Sequence, residues 1–286
     1  MHIKSSGLSG HGSYPGKSCR VAWWVTCLVL VLTLVACAPG PAPAPQTVHL
    51  RIAGSTSMAA LVTELAEAYH QAHPEVSIEV RQGGSTAGLQ ALRTGKVELA
   101  AVSGAPPAQD EVGMQAIPIA RDGLILVSHP DNPVQGLSLV QARNLFRGET
   151  LDWAALGGPA EEPAIVSRED GSGDRTTFEA MVMGSDRVSH NAVVMPSAQA
   201  VVDYVAGHRN AVGYTSSALL TDMVRALGLE GIQPNAASIR GGAYPLSRLV
   251  YLYAPAKIPP ASQAFLDWVL GPEGQAIVAR RYVPLQ

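Results

Sequence analysis

The sequence predicts an α/β fold of two lobes, each containing a mixed, mostly parallel sheet flanked by helices. Two observations predict it. Apolar runs with alternating polarity are repeatedly followed by a glycine turn and then by helical periodicity, which is typical of strands alternating with helices. Two long β-rich runs, Ile117–Val127 and Leu246–Pro255, bracket a middle block of about 120 residues, which indicates that one lobe is inserted into the other. We expect one lobe over residues 47–120 plus 243–286, a second over 121–242, and two hinge crossings.

The chain begins with a leader, residues 1–36, that we exclude from the fold. Its basic residues, Lys4, Lys17 and Arg20, precede an apolar run of sixteen residues, 21–36, which is shorter than the roughly 20 residues of a membrane span. The run ends in LVAC, which resembles the lipobox of bacterial lipoproteins. That resemblance implies cleavage before Cys37 and lipidation of its thiol; an uncleaved anchor helix is the alternative.

A spacer over residues 37–46 follows the leader. It is rich in proline and alanine and carries no charge, so it favours extended, semi-rigid conformations. The fold is therefore expected to begin near Thr47. The other two cysteines, Cys19 and Cys27, lie in the leader, which excludes an internal disulfide or a cysteine metal cluster from the mature chain.

The charge of the chain argues against nucleic acid as a partner. The whole sequence has 20 basic and 23 acidic residues, a formal net charge of −3. Without the three basic residues of the leader, 17 basic and 23 acidic residues remain, a net of about −6, and no basic run is present. An anionic ligand would have to be held by local dipoles and not by net charge.

The residues before the middle block predict three strands and two helices. VHLRIAGS predicts a strand and a tight turn, and Met58–His73 has apolar residues at helical spacing before Pro74. VSIEVRQGGS alternates and turns at glycine, and a short helix follows to Gly95. VELAAVSG predicts the third strand.

The middle block and the C-terminal part continue this pattern. The run Ile117–Val127 contains Arg121-Asp122-Gly123, which predicts a break in that strand. Ser138 predicts the N-cap of a helix, PAIVSRED a strand, and RTTFEAMVMG a helix. AVGYTSSALL predicts a strand and a helix, and the last amphipathic segment breaks at Gly271-Pro272.

One local device occurs three times between a strand and a helix: glycine next to serine or threonine, in AGSTSM, QGGSTAGL and DGSGDRTTF. The first N–H groups of a helix lack partners inside it, and the helix dipole places about half a positive charge there, so such turns bind anions. A single turn of this kind is more often an ordinary N-cap. Three at the carboxyl ends of strands favour an anion-binding crevice. Arg168 supplies a fixed positive charge beside the third turn; the alternative is a surface salt bridge to Glu169 or Asp170.

These turns, together with SREDGSGDRTTFE, YPLSRLVYLY and FLDWVLGPEGQAIV, resemble the substrate-binding lipoproteins of bacterial phosphate ABC transporters, from Ile52 to Leu285. The resemblance implies a type II periplasmic-binding-protein fold that holds inorganic phosphate between its lobes and delivers it to permease subunits. It also implies that Asp170 orients Arg168. The phosphate-binding residues that it implies are Ser55, Thr56, Ser57, Ser85, Arg168, Ser172 and Gly173, and we add Ser103 and Asp174 as candidates although they depart from the family pattern.

Two positions depart from the family pattern. Ser103 stands where some members have an aspartate that accepts the phosphate proton, and Asp174 follows the third turn where threonine is usual. Protonated phosphate has a P–OH donor and sulfate has none, so a buried carboxylate accepts from the first and repels the second. Our hypothesis is that Asp174 has taken over the acceptor role. The alternative is an outward-facing acid in the first turn of the helix.

Other interpretations start from the same residues. GGSTA approximates a nucleophile elbow, and Ser172 with His190 or His208 as base would make a serine hydrolase, but no histidine lies in a recognisable motif. His70 and His73 have a metal-compatible spacing, although a surface pair at a helix end is the commoner outcome. No phosphate-binding loop of the P-loop type is present.

Two alternative interpretations retain the same fold but assign the protein another ligand or another role. A site of helix starts and one arginine also suits molybdate, sulfate or an organic phosphate, and a surface sensor or adhesion lipoprotein would deliver no solute. The expectation is a monomeric, extracytoplasmic binding protein, lipid-anchored at Cys37, without enzymatic activity, cofactor, metal or nucleic-acid partner.

Overall fold

The computed structural model describes residues 10–12, 47–106, 109 and 111–285. The chain divides into the units Met1–Gln46 and Thr47–Gln286, and every helix and strand described lies in the second. The expected leader, spacer and lipidated Cys37 lie outside the described residues. Within the described ranges, no helix has the length and apolar character needed to cross a membrane.

The second unit contains strands and helices in alternation, as predicted. In the described chain the strands are Val48–Gly54 (β1), Val76–Gln82 (β2), Leu99–Ser103 (β3), Met114–Ser128 (β4), Gly136–Leu137 (β5), Ala164–Arg168 (β6), Val193–Met195 (β7), Ala211–Ser216 (β8), Arg225–Leu229 (β9) and Ser247–Pro255 (β10). The helices are Ala59–Ala72 (α1), Ser85–Arg93 (α2), Leu139–Arg147 (α3), Gly173–Phe178 (α4), Ala198–Gly207 (α5), Ala236–Arg240 (α6), Pro260–Leu270 (α7) and Pro272–Val278 (α8).

The strands form a mixed sheet in the order β2-β1-β3-β10-β4-β8-β6-β7, with β9 on β4 and β5 on β9. Pairing is parallel at both ends of this order, where β1 pairs β2 and β3, and β6 pairs β7 and β8. The antiparallel pairs meet in the middle, on β4 and β10. The predicted α/β class with a mixed sheet is confirmed, and the antiparallel pairing on β4 and β10 is extensive.

Strand β4 runs through the middle of the sheet without the predicted break. Its first part, up to Gly123, pairs with β10, and its last part, Leu124–Ser128, pairs with β8. Arg121, Asp122 and Gly123 stay in the strand because each has a partner in β10, and Arg121 also bridges Val283. The predicted turn residues therefore lie inside a continuous strand, at the point where its partner changes.

Two main hydrophobic cores lie on either side of this crossing. The first packs α1, α7 and α8 with β1 around Tyr69, whose ring meets Phe265 edge-on with centroids 5.2 Å apart. The second packs β6, β8 and α3 around Phe178, whose ring stacks on Tyr214 with centroids 4.2 Å apart and also meets Phe146. Each buried side chain of this size contributes about 1.5–3 kcal/mol, so each core stabilises its own lobe.

Two helices differ from the prediction in kind. The single helix expected over RTTFEAMVMG is the short α4 followed by a π-helical segment, Glu179–Met183, that ends at Gly184. The helix expected after β8 is one 3₁₀ turn, Ser217–Leu219. Ser138 caps α3 through a capping box with Gln141, as predicted.

Candidate functional site

The first two predicted turns and the end of β3 meet through their serines. The hydroxyl oxygens of Ser55 and Ser57 lie 2.9 Å apart, and Ser55 donates to the Ser103 hydroxyl over 3.0 Å. The Ser103 N–H donates to the Ser85 hydroxyl at 3.3 Å. All four serines are buried. They form a continuous row of hydroxyl groups at the carboxyl ends of β1, β2 and β3.

The third turn closes over this row from the middle block of the chain. The Gly171 carbonyl accepts from the Thr86 N–H at 3.1 Å. A Cβ placed on Gly173 would lie 2.3 Å from the Ser85 hydroxyl and 2.5 Å from the Ser103 carbonyl, so only glycine fits there. Ser172 is buried and caps α4, its hydroxyl accepting from a helical N–H at 3.4 Å.

Asp174 points into the cluster, and its side chain is only 1% exposed. Its Oδ1 accepts from the hydroxyls of Ser57 and Ser103, both at 3.1 Å, and from Arg248 Nη2 at 2.6 Å. Its Oδ2 lies 3.4 Å from Arg168 Nη1. The alternative of an outward-facing acid in the first helical turn is wrong.

The ionisation of Asp174 is controlled by these neighbours. Burial by itself would raise the pKa of the carboxyl. Arg248, then Arg168, together with the Ser57 hydroxyl outweigh burial and hold the Asp174 pKa below the ordinary value for aspartate. The group is therefore an ionised hydrogen-bond acceptor at neutral pH.

Arg168, at the end of β6, is also buried and joins the two sides of the cluster. Its Nη2 donates to the Thr56 hydroxyl at 3.1 Å, and the same hydroxyl accepts from the Ala198 N–H at 3.2 Å. Its Nε donates to the Met195 carbonyl at 3.1 Å. A guanidinium so fixed presents a permanent charge to the serine row.

The residue that orients Arg168 is not the one predicted. Glu169 forms a fork with it, Oε2 accepting from Nε at 2.9 Å and Oε1 from Nη2 at 2.7 Å. The predicted residue, Asp170, is 94% exposed and pairs with Arg175 at 2.8 Å. Asp170, just before Gly171, points to solvent and to Arg175 on α4. Its neighbour Glu169 points to the guanidinium of Arg168 instead.

Two further charged residues of the site were not predicted from the sequence. Arg248 on β10 donates from Nε (3.1 Å) and Nη2 (2.8 Å) to Oδ2 of Asp122 on β4. Asp122 Oδ1 accepts from the hydroxyls of Ser216 and Ser217, both at 2.9 Å. Burial would lower the pKa of Arg248, but Asp174 and Asp122 raise it above the ordinary value. Charged residues inside the two long apolar β runs, Arg121-Asp122 in the first and Arg248 in the second, were the available signal.

The enzyme and metal alternatives find no support in the contacts of the described residues. His208 is exposed and bonds the Tyr204 carbonyl at 2.7 Å, and His190 is exposed, so neither is hydrogen-bonded to a serine of the cluster. His70 bonds the Val76 carbonyl and His73 stacks on a tyrosine ring. Over the described ranges, no group of three or more potential metal ligands is present.

Comparison with known proteins finds relatives of this chain in sequence and in fold. The model of a family described as a PBP superfamily domain matches residues 39–273. The phosphate-binding protein PstS of Pseudomonas aeruginosa is 30% identical over 273 residues, covering 83% of this chain and 83% of its own. PstS of Bacillus subtilis is 27% identical over 242 residues, covering 82% and 80%. Among solved structures, a putative phosphate ABC transporter substrate-binding protein with bound phosphate from Clostridium perfringens has a TM-score of 0.80 and 31% identity, covering 83% of this chain and 100% of its own.

Proposed function

Because the chain belongs to the phosphate-binding proteins of the PBP superfamily, we propose that it captures inorganic phosphate between its two lobes, outside the cytoplasm, and delivers it to an ABC transporter permease. The family is one of transport substrate-binding proteins, so the proposed activity is capture and release without chemistry. Ligand contacts from both lobes favour the arrangement in which the lobes meet, and the lobes part by hinge motion at β4 and before β10.

The observation that carries this proposal is the buried Asp174 carboxylate among donors from both lobes. Hydroxyl groups and the Arg168 guanidinium suit the unprotonated oxygens of phosphate. A buried ionised carboxylate suits a ligand that also carries a proton, because a P–OH group donates to it. Sulfate and molybdate, which are fully deprotonated at neutral pH, would instead meet a like charge.

Roles for the individual residues follow from their positions. Arg168 pairs with the anion and Asp174 accepts its proton, while Glu169 orients Arg168. Neutral donors to the remaining phosphate oxygens come from the first turn, the second turn, the end of β3 and the third turn; we assign them to Ser55, Thr56, Ser57, Ser85, Ser103, Ser172 and Gly173.

Calorimetry on the purified mature chain tests the proposal. Phosphate and arsenate, which both carry a proton at neutral pH, should bind, and sulfate and molybdate should give no measurable heat at the same concentrations. Asp174→Asn should weaken phosphate binding by about tenfold to a hundredfold, the loss of a hydrogen bond to a charged group, and should relax the rejection of sulfate. Binding of none of the four anions would indicate a sensor or adhesion role and would refute capture. Unchanged phosphate affinity and sulfate rejection in Asp174→Asn would refute the acceptor role.

We also propose that the protein acts as a monomer held at the membrane through lipid on Cys37. The leader, its lipobox-like LVAC and the uncharged spacer support the lipid anchor. Mass spectrometry of protein extracted from membranes should find a diacylglyceryl-modified cysteine at the N-terminus, and Cys37→Ser should move the protein from the membrane to the soluble fraction. An unmodified cysteine with the leader still attached would support the uncleaved anchor helix instead.

A further inference from the structure

A second buried arginine, Arg248, lies between two buried aspartates, Asp122 and Asp174, and among the hydrogen bonds of the described residues it contacts the proposed ligand site through Asp174. We infer that Arg248, braced by Asp122, is a positioning residue that determines specificity: it fixes the Asp174 carboxylate so that Oδ2 is the oxygen left to accept the proton of the ligand. This role rests on the proposed function and goes beyond it by naming the residues that set the choice between oxyanions.

The hydrogen bonds of the two Asp174 oxygens differ. Oδ1 accepts from Ser57, Ser103 and Arg248 at 3.1, 3.1 and 2.6 Å. A carboxylate oxygen has about two lone-pair sites, so Oδ1 has no room for a further donor. Within the described chain, Oδ2 has a single hydrogen-bond partner, Arg168 Nη1 at 3.4 Å, which is longer than an ordinary N–H···O bond. A donor on the ligand therefore has one oxygen to bind.

Arg248 holds this orientation because its own guanidinium is anchored. Nε and Nη2 both donate to Asp122 Oδ2, and Ser216 and Ser217 donate to Asp122 Oδ1. Asp122 and Arg248 also face each other in the β4–β10 register. The bracing carboxylate belongs to one strand of the pair and the guanidinium to the other, so the two strands at the crossing fix the acceptor at the site.

The same contact sets the charge of Asp174. The charged and titratable groups that act on it from the surrounding elements are Arg168 on β6, Arg248 on β10, Asp122 on β4, Tyr214 on β8 and Tyr282 near the C-terminus. Without Arg248, the carboxyl keeps one arginine, at 3.4 Å, and the same burial. Burial favours the neutral acid, and a neutral acid is an O–H donor that suits sulfate. In a protein without Arg248, the preference for phosphate over sulfate should then fall as the pH falls.

The test replaces the bracing pair without changing net charge. Asp122→Asn with Arg248→Gln removes one charge of each sign, so no buried ion is left without its partner at that position. The matched control is Arg51→Gln with Glu98→Gln, which removes another ion pair, 2.7 Å long, between β1 and the residue before β3; neither residue is hydrogen-bonded to Asp174 or Arg168. Melting temperatures establish that both variants fold, and calorimetry gives the ratio of phosphate to sulfate affinity at several pH values.

We expect the phosphate-over-sulfate ratio to fall at least about tenfold in the Asp122→Asn/Arg248→Gln variant, with a larger fall at acid pH, and to stay within about twofold in the control. In an Asp174→Thr background, the same pair of changes should leave the ratio unaltered, because the role acts through Asp174. Equal weakening of both anions would show a merely structural role and overturn the inference. A further change of the ratio in the Asp174→Thr background would do the same, since it would place Arg248 on the ligand.

A ligand-free measurement separates this inference from the proposed function. Carboxyl-¹³C NMR, with the Asp174 signal identified by its loss in Asp174→Thr, should show Asp174 titrating below the ordinary range in the wild type and above it in the Asp122→Asn/Arg248→Gln variant. An unshifted titration would overturn the inference even where phosphate binds. A wild type that binds no phosphate would overturn the proposed function, and the NMR titration would still decide whether Arg248 fixes Asp174.

Discussion

Gly173→Ala should weaken phosphate binding while leaving the unliganded fold almost as stable as before. The added Cβ would lie 2.3 Å from the Ser85 hydroxyl, 2.5 Å from the Ser103 carbonyl and 2.6 Å from the Ser103 hydroxyl. The hydroxyls can rotate away. The carbonyl belongs to β3 and cannot, so the third turn has to move back by about an ångström to reach an ordinary contact distance near 3.5 Å.

The size of the loss in phosphate affinity depends on which arrangement of the lobes contains the clash. Overpacking of this kind costs about 1–3 kcal/mol, and here the cost falls on the arrangement in which both lobes contact the ligand. The dissociation constant for phosphate should therefore rise about 5- to 150-fold. The unliganded protein can relieve the clash at the hinge, because each lobe has its own core, so its Tm should change by less than about 2 °C.

Isothermal titration calorimetry and thermal melting check the two halves of this prediction. Gly207→Ala is the matched control, because a Cβ there meets nothing within 4 Å and Gly207 does not have a positive φ; its affinity and Tm should stay near those of the wild type. A Gly173→Ala protein that binds phosphate as tightly as the wild type would refute the close contact between the turns. A large drop in Tm would show that the site helps to hold the unliganded lobes together.

Three further predictions concern charge and packing. Arg168→Lys should weaken phosphate binding by tenfold or more in calorimetry, since an ammonium group cannot keep both bonds to Glu169 and the bond to Thr56; an affinity within twofold of the wild type would contradict this. The folded-state pKa of Asp174 lies below its unfolded value, so its stabilising contribution is present at neutral pH and is lost as the pH falls through the folded pKa. In urea unfolding, Asp174→Asn should therefore lose less stability than the wild type below about pH 4, and parallel curves would count against an ionised buried Asp174. Phe178→Ala removes a ring stacked on Tyr214 and should cost about 3–5 kcal/mol of unfolding free energy, measured by urea denaturation; a loss below 1 kcal/mol would show that this core repacks.

The elements of the fold were predictable because their signals are local. Alternation in Val48–Gly54 and Val76–Gln82 and helical spacing in Ala59–Ala72 are set by which face each residue buries. The pairing of β4 with β10 was not predictable, because the partner lies more than a hundred residues away. For the same reason Arg121-Asp122-Gly123 resembled a turn: the hydroxyls and the guanidinium that make an aspartate tolerable inside a strand come from β8, the turn after it and β10.

At the candidate site, residue types were predictable and directions were not. Serine and glycine at the ends of strands identify a place where donors converge, and the structure brings Ser55, Ser57, Ser85 and Ser103 together. Asp174 follows a helix start, where both inward and outward directions satisfy local rules. The groups that hold it inward, among them Ser103 and Arg248, come from distant parts of the chain. Which of two adjacent carboxylates reaches Arg168 likewise depends on the path of the turn and not on the sequence pattern.

The charges of the buried cluster explain why neutral donors are so numerous in it. Arg168 and Arg248 are balanced by Asp122 and Asp174, and Glu169 already occupies the Nε and Nη2 edge of Arg168. A bound phosphate therefore brings charge to a site with no surplus positive charge among these groups, in a chain whose net charge is itself negative. Its oxygens must be stabilised by hydroxyls, backbone N–H groups and one remaining guanidinium nitrogen, which act by dipole and geometry and not by net attraction. Recognition by dipoles depends on the angle and distance of each donor, which is why the contact distance at Gly173 and the orientation of Asp174 matter more here than the number of basic residues.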